Sequence, residues 1–464
     1  MLYASAVFMF LFLPILLAAY SVAPTKMRRY ILLAGGVIFY VLANFKTPMA
    51  TLLLAAVCAG TYFVGNYISK TQNRAVLLGV IAFDVLLLFV LRTIYGQSES
   101  FIFPLGAAIF LLSSISYCYD LCRGDVPKGN IFDCLLYMTF FPIMAVGPVV
   151  KYKDFRRYVT DAEHTIDNLS DGIRLFAVGF VKLVAVSSVT LDAYRTISEL
   201  GGDRLGFFGT ALAMLMVVMT VFFALSGWSD MGCGLALMFG IRIPRDFDFS
   251  LIAITPADFF GSFFHSLDSW IEDYTVSPVR RRFFRSRKKL FSAAARGITV
   301  VLVIIWIRTT AVATIAAVIA GAVVFAEEYF ELSRLIKARK ITYPLGWLIS
   351  FLVAVFVCCA VTSEGIVGFG ESLGKLSFVG SLNIYYVYNA LSGFKYIFIV
   401  IVGIILGVFS HKREGIVAHI PEKHLPIYDA VTTALLMIMF VFTLLYFMPR
   451  YPQYASGVFE FFSF

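Results

Sequence analysis

Long apolar runs recur from one end of this chain to the other, and no other feature constrains its fold as tightly. Leu2–Tyr20, Ile31–Ala43 and Ala430–Phe447 carry no charged residue. A hydrocarbon core about 30 Å thick calls for roughly 20 mostly apolar residues in a helix. At that depth every backbone N–H and C=O must be satisfied inside the segment, which favours helices. Of the 464 residues, 60% are hydrophobic and 14% charged, against about 25% charged in soluble domains. The expectation is an all-α polytopic membrane protein forming a single integral-membrane domain over residues 1–464.

Basic loops give its sidedness. No basic segment precedes the first apolar run, and Lys26, Arg28 and Arg29 follow it. That order fits a first membrane helix better than a secretory signal, with the N-terminus outside the cytoplasmic membrane. Lys26–Arg29, Lys70–Arg74 and Arg123–Lys128 are each separated by two apolar segments, so all three can lie inside. Positive-inside orientation therefore accounts for the net charge of +9 without a nucleic-acid partner. The seven cysteines sit in or beside apolar segments with no paired metal-ligand spacing, as small buried hydrophobes do.

Three stretches break the count of crossings. Phe132–Val150 reads as a span, yet Lys151, Lys153, Arg156 and Arg157 follow at once. Pro142 and Gly147-Pro148 suggest a broken hairpin that dips in and returns, which is tolerated where protein or a water-filled cavity surrounds it. Gly227–Gly240 is rich in glycine, carries Asp230 and leads to Arg242 and Arg245, so a second break is expected there. Arg280–Lys289 has seven basic residues in ten and is expected to lie on anionic membrane lipids. Ile298–Phe325 is too long for one simple span and has basic clusters at both ends. A break near Arg308–Thr310 restores the rule. Transporters and intramembrane enzymes both use such interrupted segments as cavity walls.

Read in order, five stretches resemble the membrane-bound O-acyltransferase (MBOAT) family. They are the opening MLYASAVFMFLFLPILLAAYSVAP, FPLGAAIFLLSSISYCYDLCRGD (Phe103–Asp125), FDCLLYMTFFPIMAVGPVVKYKDF (Phe132–Phe155), SGWSDMGCGLALMFGIRIPRDFDFS (Ser226–Ser250) and the terminal YASGVFEFFSF. The branch they are most similar to holds the alginate O-acetylation and teichoic-acid D-alanylation membrane proteins. The resemblance implies a ring of about 11 membrane helices, with re-entrant or broken segments, around a central funnel. It also implies acylation of a hydroxyl on an extracytoplasmic polysaccharide or cell-envelope polymer. The acyl donor would be an acyl-CoA or an acyl carrier protein on the cytoplasmic face, with no bound cofactor or metal. An extracytoplasmic SGNH-type acyl-transfer protein or polymer-export machinery would be the partner.

Family members place one histidine in a loop motif like RRWH-x-S-L-S-x-W-x-RDY and a second in a membrane motif like WHGA. The second is the general base expected to take the acceptor's proton, work that suits a pKa near neutrality. This chain departs from both. In DFFGSFFHSLDSWIEDY, Ser266-Leu267, Trp270 and Asp273-Tyr274 match, but Phe264 stands where the loop histidine belongs. His265 comes one residue late, about 100° round a helix unless a local shift restores it. Gly261 and Ser262 replace the paired arginines, and Glu272 the arginine before Asp273. In IIWIRTTAVATIAAVIAG, Trp306 and Gly321 match, Ile307 occupies the base position and Arg308 replaces a glycine. No histidine lies between His265 and His411 to substitute by a shift. His164, His411, His419 and His424 read as residues of solvated loops.

Candidate site residues are therefore His265 and the Ile307 position for catalysis, with Arg308, Asp230, Trp306, Ser266, Trp270 and Asp273 for substrate contact. Two roles stay open for most. Arg308 either snorkels at a helix break or binds a phosphate or acyl carboxylate, and it is excluded as a base because guanidinium keeps its proton. Asp230 either caps a helix or pairs with a loop arginine, or it lines the donor path. Asp120 and Arg123 are expected to pair with each other. Asp84, alone in an apolar run, is expected to be protonated or to pair with Arg92. The active acyltransferase and a catalytically inactive member acting as scaffold or regulator both remain open. The ordered motifs weigh against a transporter.

Overall fold

The computed structural model describes residues 3–45, 48–96, 106–144, 147–199, 202–247, 253–278, 288–308, 310–363 and 425–450, together with Leu391, Tyr396 and Val402. Among them the regular structure is helical throughout, with no strand. Among the described residues seven helices are long and apolar enough to cross a membrane, and two shorter apolar stretches, Phe8–Val22 and Ile131–Met144, accompany them. The expected all-α polytopic class is what the molecule shows. Arg280–Arg287, His411, His419, His424, the terminal YASGVFEFFSF and the side chains of Arg92 and Trp306 lie outside the described residues. The chain divides into two compact units: Met1–Phe176 with Trp228–Arg245, and Ala177–Gly227 with Asp246–Ser463.

The first unit is built from α1 (Leu13–Val22), α2 (Thr25–Ala43), α3 (Pro48–Thr71), α4 (Arg74–Gly96), α5 (Ala107–Arg123), α6 (Ile131–Met138), α7 (Phe141–Met144) and α8 (Tyr152–Thr160). Parts of α9 (Ile166–Val181) and α11 (Gly202–Met238) complete it. Phe8, Phe39, Phe141 and Tyr3 form an aromatic core with ring centroids 5.3–6.4 Å apart. The Phe132–Val150 stretch is broken as expected. Helix α6 stops at Met138, α7 lasts four residues with Pro142 in its first turn, and Gly147–Val150 is non-helical and buried. Tyrosine hydroxyls satisfy the carbonyls this exposes: Tyr137 donates to Val150 O at 2.7 Å and Tyr3 to Phe141 O. That is the condition for irregular backbone inside a membrane protein.

The second expected break does not exist. Gly227, Gly232 and Gly234 all lie inside α11, a continuous helix of 37 residues. These glycines permit close approach rather than a bend. A Cβ on Gly232 would lie 2.5 Å from the Pro142 carbonyl oxygen, and one on Gly234 would lie 2.6 Å from Phe176 N and 2.7 Å from Gly172 O. Backbones meet this closely in membrane bundles where small residues face each other. A glycine costs about 1 kcal/mol within a helix, which packing on both sides offsets.

The Asp120–Arg123 pair is also corrected. Asp120 is fully buried and caps α8, accepting from Lys153 N at 2.8 Å while Ser116 Oγ accepts from Tyr152 N at 2.9 Å. The orphan N–H groups of a helix start are strong partners for a carboxylate. Arg123, at the exposed end of α5, reaches Asp125 instead, at 3.3 Å. Asp84 on α4 is buried and hydrogen-bonds Ser114, which in turn accepts from Thr61 at 2.8 Å. His164 is half-buried rather than freely solvated, with its ring edge-on to Tyr20 at 5.2 Å and Nε2 3.0 Å from Ser21 Oγ.

The second unit holds α10 (Ser188–Ser198), α12 (Pro256–Phe263), α13 (His265–Ile271), α14 (Lys288–Ile307), α15 (Ala311–Phe330), α16 (Leu332–Ala338), α17 (Tyr343–Thr362) and α18 (Leu425–Phe442). The expected break at Arg308–Thr310 is present. Helix α14 ends at Ile307, and α15 restarts after Thr310, whose hydroxyl caps it by accepting from Ala313 N at 3.3 Å. The two helices form a hairpin so close that a Cβ on Gly321 would stand 2.7 Å from Gly297 O. At its open end Lys289 and Glu331 pair at 2.9 Å, and the paired charges hold the Glu331 carboxyl below the usual range.

Candidate functional site

The two hallmark stretches both lie in the second unit, on α12–α13 and on the α14–α15 hairpin. Thr255 caps α12 by accepting from Asp258 N at 3.2 Å, and Pro256 suits its first turn. The helix runs out at Phe263. Phe264, with φ −132° and ψ 66°, is neither helical nor extended, and α13 begins at His265. The side chain that starts α13 comes from far back in the chain. Asp246, buried, accepts from Ser266 N at 2.6 Å and from Ser266 Oγ at 2.8 Å. Ser266 is thereby committed to Asp246 and fixes the backbone on which His265 stands.

His265 is exposed, while the residues on both sides of it are buried. Two carboxyls interact electrostatically with it. Burial raises Asp246 to about 6, opposed by its two bonds from Ser266 and by His265. Burial also raises Asp268, opposed by Arg296 and then by His265. Asp268 lies 3.7 Å from Arg296, which also approaches Glu328 at 3.8 Å. Imidazole, two carboxyls and a guanidinium thus share one end of α13 and the flank of α14.

Position 264 has a different character. Phe264 is buried with its ring centroid 4.9 Å from Phe247 and 5.3 Å from Phe263. Phe247 has φ +64°, a strained value for a bulky residue, which packing on Phe222, Phe263 and Phe264 holds in place. Trp270 is buried edge-on to Tyr274 at 5.0 Å, and its Nε1–H meets no acceptor among the described residues. Asp273 is half-buried in the π-helical turn Glu272–Val276.

The hairpin tip meets the end of α17. Ile307 is buried at the end of α14. Arg308 donates from a terminal guanidinium nitrogen to Val361 O at 2.8 Å, in the last turn of α17, where a cation suits the helix C-terminus. Ile307 lies eleven residues beyond Arg296 on α14, about 16 Å of helical rise. The structure therefore brings together His265, Ser266 and, through Asp246 and Asp268, a set of ionisable groups. Ile307 and Arg308 stand well along the hairpin from it. Asp230 belongs to the other unit, where it is buried on α11 two residues from the Gly232–Pro142 contact.

The family model of the membrane-bound O-acyltransferases matches residues 37–285. The chain belongs to the MBOAT family. Among its relatives, a protein named probable alginate O-acetylase AlgI of Pseudomonas putida is 30% identical over 324 residues, covering 64% of this chain and 66% of that one. A peptidoglycan O-acetyltransferase of Helicobacter pylori is 24% identical over 333 residues, covering 60% and 62%. A teichoic acid D-alanyltransferase of Bacillus subtilis is 26% identical over 176 residues, covering 36% and 42%. The aligned part thus spans about two thirds of the length of the first of these and less of the others. In this MBOAT chain the family match contains Asp230, Asp246, Phe264, His265, Ser266, Trp270 and Asp273, and it ends before Trp306, Ile307 and Arg308.

Sequence reasoning missed Asp246, Asp268 and Arg296. Asp246 lies in the quoted IPRDFDFS stretch, but nothing local to it announces a helix cap twenty residues later. Its carboxyl gives a pH signature. An Asp at about 6 when folded and near 3.9 when unfolded binds more protons in the native state between those values. Its contribution is fully present below about pH 3.9 and is lost as pH rises through about 6, by about 3 kcal/mol in all. Thermal unfolding of wild type and Asp246→Asn in one detergent should therefore diverge in slope between pH 4 and 6, with the variant flatter. Parallel curves would remove this role.

Proposed function

We propose that the chain works in O-acylation of an extracytoplasmic carbohydrate polymer of the cell envelope, with His265 as the group that takes the acceptor's proton. The relatives' names support the class of reaction: alginate, peptidoglycan and teichoic acid are the polymers, and acetyl or D-alanyl the groups. The observation that carries the residue assignment is the exposed imidazole at the start of α13, within the field of two carboxyls, on a backbone pinned by Ser266. A carboxylate neighbour supports an imidazole as it gains a proton.

The donor is a small acyl thioester, of coenzyme A or of an acyl carrier protein. The acceptor hydroxyl oxygen attacks the thioester carbonyl, the C–O bond forms and the C–S bond breaks. The hydroxyl proton passes to His265 and from there to the departing thiolate. The protein sits in the cytoplasmic membrane with its N-terminus outside and its basic loops on anionic lipids inside. An SGNH-type protein or polymer-export machinery takes the product onward. A second reading, a non-catalytic scaffold or regulator of such a complex, draws its support from one observation. The position expected to hold the membrane base is a buried isoleucine.

Transfer of labelled acetyl from acetyl-CoA to polymer by the purified chain in proteoliposomes separates the two. The catalytic reading expects transfer that falls at least a hundredfold in His265→Ala, the scale of a lost general base. Transfer unchanged by that substitution would remove His265 from the reaction. No transfer by wild type, with its extracytoplasmic partner supplied, would favour the scaffold.

A further inference from the structure

A basic cavity in the first unit serves neither hallmark stretch. It has a volume of about 260 Å³ and lies among α1, α2, α6 and α8, with Arg28, Arg29, Arg156 and Asp133 in its wall. That is slightly below the range of about 300–1,000 Å³ typical of sites enclosing a whole drug-sized molecule, and it suits a single headgroup.

The charges do not balance internally. Three guanidinium groups face one carboxylate, and that carboxylate is already engaged. Asp133 accepts from Asn130 N at 3.2 Å to complete the capping box of α6, and Arg29 lies 3.8 Å from its other oxygen. Arg28 and Arg156 are anchored on neutral acceptors. Arg28 donates from Nε to Ala23 O at 3.3 Å and lies over the Tyr20 ring at 5.3 Å, and Arg156 donates to Pro127 O at 2.7 Å. A guanidinium has five N–H donors in a fork that matches phosphate oxygens, so both keep donors for a ligand. Helix α2 adds to the imbalance. It starts after Pro24 with no side-chain cap and no acid in its first turn, while Lys26, Arg28 and Arg29 sit near its positive end. Such an end is stabilised by an anion.

What borders the cavity tells which anion. Tyr30 of α2 and Phe132 of α6 pack edge-on at 5.4 Å and are exposed, the pattern of an interfacial aromatic anchor. Further along α2, Val37, Ile38, Val41 and Leu42 are exposed as well, forming an apolar flank for acyl chains.

We propose that this cavity binds the phosphate of an anionic membrane phospholipid, held by Arg28 and Arg156. A soluble phosphate shares the headgroup chemistry but gains nothing from the apolar flank. The test is a titration of the purified full-length chain in detergent with short-chain phosphatidylglycerol, short-chain phosphatidylcholine and inorganic phosphate, read as thermal stabilisation. Phosphatidylglycerol is expected to bind at least tenfold tighter than either of the others. Arg28→Gln and Arg156→Gln should each weaken it about tenfold, the scale of one charge-assisted hydrogen bond. Arg157→Gln, at an exposed site on α8 outside the cavity, should leave it unchanged. Asp133→Asn should tighten it severalfold, a gain that misfolding cannot mimic. Equal binding of inorganic phosphate, or phosphatidylglycerol affinity unmoved by the Arg28, Arg156 and Asp133 substitutions, overturns the proposal.

Discussion

Replacing Gly232 by leucine is expected to leave no monodisperse folded protein after detergent extraction. The reason is geometric. A single added carbon at 232 would sit 2.5 Å from the Pro142 carbonyl oxygen, which belongs to the backbone of the short helix α7 within the broken Phe132–Val150 stretch. Neither side can yield cheaply, because Phe141 O is tied to Tyr3 and Val150 O to Tyr137 on the same irregular segment. Overpacking a tight interface costs about 1–3 kcal/mol or more even for small additions, and leucine adds four carbons to a fold stable by about 5–15 kcal/mol. Gly234→Leu should behave alike, pushing α11 off α9 at Gly172 and Phe176. Gly79 provides the control, since a Cβ there meets nothing within 4 Å and Gly79→Leu should extract normally. Size-exclusion profiles of the three variants check this, and a folded Gly232→Leu would refute the close-packing account of α11.

The second large effect concerns the hairpin tip. Ile307→His, which restores the side chain the family motif leads one to expect, should lower stability by about 2–4 kcal/mol and add no acyl transfer. Ile307 is buried at 4% exposure, and an imidazole placed there carries two polar nitrogens into a setting built for a hydrocarbon. Burying a polar group without a compensating bond costs on that order. The neighbouring cation cannot help, because Arg308 is bound to Val361 O and would disfavour a protonated imidazole. Thermal melting and the acetyl-transfer assay read both parts. A tenfold gain in transfer in this variant would show that the tip, not α13, is where the proton moves.

Much of this architecture was legible because apolar length and basic loops are blunt signals. The Arg308–Thr310 break follows from charge at both ends of one apolar run, and the α6–α7 break from Pro142 and the charges after Val150. Gly227, Gly232 and Gly234 misled for a physical reason: glycine loosens a backbone and also lets two backbones touch, and one sequence cannot say which. Only the facing residues, Pro142, Gly172 and Phe176, decide it. Asp120 misled in the same way, since Arg123 is near in sequence while the N–H of Lys153 is near in space. In the candidate site, His265, Ser266 and the Phe264 substitution could be read from the motif. Asp246 could not, because a carboxyl capping a helix twenty residues later leaves no periodicity behind.

In the proposed mechanism the proton moves at His265 and not at position 307. The decisive comparison is the initial rate of acetyl transfer by wild type, His265→Ala and Ile307→Ala, each confirmed folded, in the same proteoliposomes. The expected result is a loss of at least a hundredfold in His265→Ala and a rate within a fewfold of wild type in Ile307→Ala. Full activity in His265→Ala would contradict it.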